Sequence, residues 1–152
     1  MKWLVTGLVV VLLIAFLVFF IRSRGGEMVM LADLDKQIVQ PYIAMVAADE
    51  YDRAYDLLSE DYRKEVPLET FSAGHEKRQQ EKGVISANEL IRDSVIYNLF
   101  STKREVRLKY VLYYGDNRET GWIILQEEDT DQFAIDGTYY ESVGDSLDFR
   151  LW

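Results

Sequence analysis

With one histidine and no cysteine in 152 residues, any acid–base or nucleophilic chemistry has to come from His75, the carboxylates and the tyrosines. His75 lies in Gly74-His75-Glu76-Lys77-Arg78. A general base there needs a carboxylate or tyrosine partner and an apolar enclosure that sets its pKa near the working pH. Its sequence neighbours are polar and read as a solvated helical stretch, so an inert surface role is expected. Asp93 is the second candidate. If it shares the face of Ile91 and Val95, its carboxylate lines a pocket wall, where burial raises the pKa for proton transfer. The simpler expectation is an edge-strand charge that discourages association between sheets. Glu127-Glu128-Asp129-Thr130-Asp131 offers oxygen ligands to a hard cation. It lacks the Asp-x-Asn/Asp-x-Asn/Asp-Gly spacing of a calcium loop, however, and reads as a hairpin tip. A zinc set built from one His and several carboxylates would be unusual.

The ten Tyr and seven Phe are accounted for mainly by packing. Tyr42, Tyr55, Tyr62, Tyr97 and Tyr110 fall on apolar faces, where the ring fills volume and the hydroxyl reaches the rim. If a ligand cavity exists, its expected members are Tyr55, Asp93, Tyr97, Tyr110 and Trp122. No glycine-rich phosphate loop, nucleophile elbow or Ser/His/Asp set is found. No catalytic residue, metal or cofactor is expected.

These residues must be positioned by a small domain behind an apolar leader. Trp3–Ile21 is 19 residues without a charge, 15 of them Leu, Val, Ile or Phe. At about 1.5 Å per residue it spans roughly 29 Å, the thickness of a bilayer's hydrocarbon core. A cleaved signal peptide has a shorter apolar core, and here Arg22 and Arg24 crowd the only small-x-small site. Residues 1–26 are therefore expected to be a transmembrane anchor with a Gly25-Gly26 joint, and 27–152 a single domain. Lys2 before the span and Arg22 and Arg24 after it give almost no orientation bias. Past the anchor, 14 Lys+Arg (17 less those three) face all 26 Asp+Glu, a net charge of −12. That surface repels phosphate backbones, so nucleic acid is excluded as a partner. The expected partners are the lipid bilayer through Trp3 to Ile21 and a protein partner or second copy.

The periodicity predicts an amphipathic helix over 28–48, kinked or divided by Pro41. Further helices are predicted at 51–58, with Asp49 as N-cap, at 59–66, and at 67–82, ending at Gly83. After Gly83 the period becomes 2, with strands at 89–100, 105–114, 122–127 and 132–140 joined by short turns. Helices followed by a strand meander is the α+β pattern: helices on one face of an antiparallel sheet. Leu34, Ile38, Tyr55, Leu58, Phe71, Tyr110, Trp122, Phe133 and Ile135 are expected to share one core. The tail carries Leu147, Phe149, Leu151 and Trp152, and is expected to cover the protein's own sheet.

Ala48-Asp49-Glu50-Tyr51-Asp52-Arg53-Ala54-Tyr55-Asp56-Leu57-Leu58-Ser59 resembles the stretch after the first helix of small nuclear transport factor 2-like domains. Asp61-Tyr62-Arg63-Lys64, Leu68-Glu69-Thr70-Phe71 and Phe133-Ala134-Ile135-Asp136-Gly137 are similar to that superfamily's later elements, with Phe133 where a Trp is usual. The resemblance covers about Ala32 to Tyr140. It implies a cystatin-like cone, a bent sheet of about four strands wrapped on about three helices, often with a pocket at the wide end. It implies no reaction, because the superfamily includes isomerases and cyclases as well as binding modules. The expected function is a membrane-anchored, non-catalytic domain that binds a protein partner or small ligand at the cell envelope. Its C-terminal domain is expected to be extracytoplasmic. The alternatives are a small isomerase- or cyclase-like enzyme and an assembly subunit of a larger membrane complex.

Overall fold

The computed structural model describes residues 30–97, 103–129 and 131–141, together with Ile14. The chain divides into two units, Met1–Asp33 and Leu34–Trp152. In the first, Ile14 is helical and exposed; the rest of the expected span Trp3–Ile21 lies outside the described residues, as does the tail. Among the described residues no helix is long and apolar enough to cross a membrane.

The second unit is α+β. A π-helical turn, Asp35–Val39, leads into α1 (Gln40–Ala47); α2 (Tyr51–Tyr55), α3 (Glu60–Glu65) and α4 (Leu68–Lys82) follow. The strands β1 (Ala87–Tyr97), β2 (Arg104–Tyr114), β3 (Asn117–Asp129) and β4 (Gln132–Glu141) then form one antiparallel sheet in chain order. The expected four-stranded meander is present.

The break expected at Pro41 takes the form of the π turn just before it. Proline lacks an N–H, and its ring crowds the carbonyl four residues back. A π turn carries one surplus residue, which moves the buried position from Ile38 to Val39. Val39 is fully buried and Ile38 only half-buried. Further boundaries differ from expectation, and β3 begins at Asn117, five residues before the expected start at Trp122. The second helix stops at Tyr55 because Leu57–Ser59 is drawn out along β4: Ile135 N donates to Leu57 O at 3.0 Å and Ser59 N to Ile135 O at 2.7 Å. Asp49 is not its N-cap; Glu50 is, and Asp49 has φ +59° and accepts the Tyr51 hydroxyl at 2.8 Å. The third and fourth helices start where Ser59 and Pro67 provide their N-caps. Ser59 Oγ accepts Tyr62 N at 3.0 Å while donating to the Asp136 carboxylate at 2.5 Å. Asp136 is the extra residue of a bulge in β4. Two of the stretches that carry the family resemblance are therefore joined at Leu57–Ser59 and Ile135–Asp136.

Strict alternation in β2 and β3 gives the sheet an inner and an outer face. Val106, Leu108, Tyr110, Leu112, Ile123 and Leu125 are buried on the inner face, with Ile135 from β4. The helices contribute Leu34, Val39, Tyr42, Ile43, Val46, Leu58 and Phe71 to the core. The expected core is right in Leu34, Leu58, Phe71, Tyr110 and Ile135. Trp122 is not a member: it alternates onto the outer face, where Lys109 lies 5.1 Å from its ring and its indole N–H donates to Glu141 at 2.9 Å. Phe133 is half-buried near the β3–β4 turn, with the Arg104 guanidinium 5.3 Å from its ring. Between β2 and β3, Gly115 (φ +61°) is the first of two turn residues, where a type II′ hairpin favours glycine.

Candidate functional site

On α4, Phe71, His75, Arg78 and Lys82 follow one another at spacings of four, three and four, so they share one stripe. That stripe lies against α1, α2 and the hairpin end of the inner sheet face. Phe71 is buried. The His75 ring stands edge-on to it at 4.5 Å, stacks on Tyr51 at 6.0 Å and meets Tyr42 at 6.4 Å. This is the aromatic enclosure that the polar sequence around His75 conceals, and the expectation of a solvated surface histidine is corrected here. Burial, reinforced by the nearby Arg78 charge, lowers its pKa from 6.5 to about 4. The imidazole is therefore neutral at pH 7, and its Nε2 makes a long hydrogen bond, 3.3 Å, with the Tyr42 hydroxyl.

From Tyr42 the polar chain continues inward. Thr138 on β4 lies beside both Tyr42 and Tyr140, while burial holds both phenols well above their ordinary pKa. The Tyr140 ring is clamped. On one side is Gly121, where an added Cβ would come within 3.0 Å of the Tyr139 carbonyl and 3.1 Å of the Tyr140 ring. On the other side the Arg78 guanidinium lies 3.3 Å from the ring centroid. Arg78 also donates through Nε to the Tyr114 hydroxyl at 3.3 Å and through Nη2 to buried Glu119. Lys82 donates to the other Glu119 oxygen at 2.5 Å. Breaking such a buried pair leaves a charge without compensation, so the network fixes how the hairpin end of the sheet docks on α4.

Two cavities adjoin this chain. The outer one, about 280 Å³ measured to its open mouth, is walled by Tyr51, His75, Arg78, Gln79, Tyr114 and Tyr140 among others. The inner one, about 320 Å³ on the same measure, lies between α1 and the sheet, walled by Tyr42, Ile43, Val46, Tyr110, Leu112 and Ile123 with neighbours. Val46, Ile85 and Tyr140 belong to both walls. The enclosed part of each has room for about one water molecule.

Of the five residues expected to line a pocket, Tyr110 lines the inner cavity; Trp122 borders it as a residue of β3, with its indole on the outer face. Tyr110 is buried, and its hydroxyl donates to Asp35 in the π turn. Gln40 also donates to Asp35, at 3.0 Å. Tyr55 is used elsewhere: its hydroxyl is within 3.1 Å of Arg63 O and 2.8 Å of Val66 O, at the end of α3. Asp93 pairs in register with Leu108 yet is exposed on the edge strand β1, outside both cavity walls. Tyr97 ends β1 opposite Arg104, and its side chain lies outside the described residues. The acidic run is tied to Arg104. Glu127 takes three hydrogen bonds from it, at 2.7, 2.9 and 3.0 Å, and is held at a pKa of about 2, chiefly by the guanidinium. Among the described residues no group of three or more His, Asp or Glu is placed to hold a metal ion.

No protein-family model, curated protein or solved structure matches the chain. What the site can do has to be read from its own groups. A base with a pKa near 4 is a weak proton acceptor at neutral pH, and tyrosines with raised pKa hold their protons. Glu119 is already neutralised by two cations. The set is equipped to donate and accept hydrogen bonds around an aromatic cleft.

Proposed function

We propose that the chain is a single-pass membrane protein whose acidic domain, of nuclear transport factor 2-like descent and cone shape, binds a ligand or partner at the cell envelope without catalysing a reaction. The observation that carries the binding reading is the row of neutral polar side chains along two adjoining cavities: His75, hydrogen-bonded to Tyr42, then Thr138 and Tyr140. An isomerase or cyclase would need a proton acceptor poised near pH 7, and His75 is pushed far from that range. The anchoring reading rests on the charge-free run Trp3–Ile21. Outward orientation follows the family resemblance.

A second reading, the assembly subunit, is favoured by a separate observation. Among the described residues of the domain, the exposed large apolar side chains are Val84, Leu90, Ile91 and Ile96, all on or just before the edge strand β1. Membrane fractionation with an alkaline wash tests the anchor: the full chain stays with the membranes, and a chain lacking Trp3–Ile21 is released. Release of the full chain ends the anchoring reading. Protease added to spheroplasts should remove the domain, and complete protection would reverse the orientation. Mass measurement in mild detergent separates a monomeric binder from an assembly subunit.

A further inference from the structure

The two cavities differ in chemistry along a single path. The outer one is polar: Tyr51, His75, Gln79 and Tyr114 present hydrogen-bonding groups, and Arg78 brings a cation. The inner wall carries no charged side chain and is built mainly from aliphatic residues and tyrosines, with Thr138 as a further polar member. Arg78, Lys82 and Glu119 together carry one net positive charge, in a domain whose net charge is −12. The guanidinium bonds Tyr114 through Nε and Glu119 through Nη2, and Nη1 takes no part in either bond. The acids beside the outer wall are not themselves part of it: Asp49 accepts the Tyr51 hydroxyl, Glu76 neighbours Tyr51, and Glu119 is shared by Arg78 and Lys82. Tyr140 stands between the two spaces, near the end of β4, with Arg78 stacked on its ring.

We propose that the cleft takes a small amphipathic carboxylate, its carboxylate on Arg78 in the outer cavity and its apolar body in the inner one, with the Tyr140 ring turning aside to join the two. This deepens the binding reading above and rests on it. With Nε and Nη2 engaged, Nη1 offers one charge-assisted hydrogen bond, which a carboxylate accepts more strongly than a neutral oxygen does. The inner wall offers an apolar body burial without an unpaired polar atom. Because the enclosed space is now only about water-sized, the ligand must displace Tyr140 and break its stacking on Arg78, which limits the affinity for a small ligand.

The test uses the full chain in detergent micelles and two probes of similar size, benzoate and benzyl alcohol, titrated with ligand-observed NMR. Benzoate should bind about tenfold more tightly, the share of one charge-assisted hydrogen bond. Arg78→Gln should erase that difference while Lys82 continues to neutralise Glu119. Val46→Phe, which fills the wall common to both cavities, should abolish binding of both probes; a thermal melt confirms that each variant is folded. Equal affinity for the two probes, benzoate binding that survives Val46→Phe in a folded protein, or no binding of either probe to the folded wild type would each overturn the proposal. None of these outcomes touches the anchor. Conversely, a chain that binds benzoate yet washes off membranes refutes the anchoring reading alone.

Discussion

Lowering the pH from 7 to 5 should destabilise the domain mainly through His75. In the folded state its pKa is about 4, held down first by burial and then by Arg78, against 6.5 for the free side chain. Because the folded value is depressed, the unfolded chain takes up a proton that the folded chain refuses. Stability is full above about pH 6.5 and falls as the pH drops towards 4, where both states are protonated. The full difference corresponds to about 3 kcal/mol, of which about 2 kcal/mol is lost between pH 7 and pH 5. That is a large part of the roughly 5–15 kcal/mol that holds a domain of this size together. Glu127, with a pKa near 2, contributes in a lower window: its stabilisation is present above the free carboxylate range and fades only below about pH 4.5. The assay is urea unfolding of a fragment starting at Glu27, followed by far-UV circular dichroism at pH 7, 6 and 5, with His75→Phe beside it. Phenylalanine keeps ring contacts with Phe71, Tyr51 and Tyr42 but cannot be protonated. Its unfolding midpoint should be nearly flat over this range while that of the wild type falls. Parallel curves for the two proteins would refute the buried, neutral histidine.

Phe71→Ala removes a buried ring that touches Tyr42, Tyr55 and His75, and should cost about 3–5 kcal/mol. Phe133→Ala, at a half-buried ring, should cost under about 2 kcal/mol by the same unfolding measurement. Gly121→Ala places a methyl within 3.1 Å of the Tyr140 ring, and should cost about 1–3 kcal/mol and move the Tyr140 resonances in NMR spectra. Glu119→Ala leaves Arg78 buried without its anion and should cost about 3–5 kcal/mol. A loss below 1 kcal/mol would mean that water already solvates the pair.

The sheet was legible because its physics is local. Period-2 alternation from Val106 to Tyr114 predicts both the strand and its buried face, and Gly115-Asp116 predicts the turn. The same alternation places Trp122 and Ile124 on the outer face, since they differ in parity from the buried Ile123 and Leu125; expecting Trp122 in the core takes the wrong one of the two faces of β3 as buried. The site was harder to read because it is assembled across distant segments. His75, Arg78 and Lys82 look like a solvated helix face, and their shelter comes from Tyr42, Tyr51, Glu119 and Tyr140, up to 62 residues away in the chain. A signal was nevertheless present. Phe71, His75, Arg78 and Lys82 share a helical stripe that starts with an aromatic, and a stripe of that kind is the side a helix turns inward. The π turn escaped because periodicity cannot distinguish one surplus residue from a kink.

That surplus residue has a consequence for how the helix can be altered. A π turn absorbs one insertion without lengthening the path of the backbone, so deleting a single residue between Asp35 and Val39 should return the segment to ordinary α-helix. Leu34 and Val39, five residues apart across the turn, would then be four apart, the spacing that keeps both on one face of a regular helix. Leu34 would stay in the core with Val39, Ile43 and Val46, and Asp35 within reach of the Tyr110 hydroxyl. The turn works as a phase shifter: it lets two stretches of one helix present faces that a regular helix could not present together.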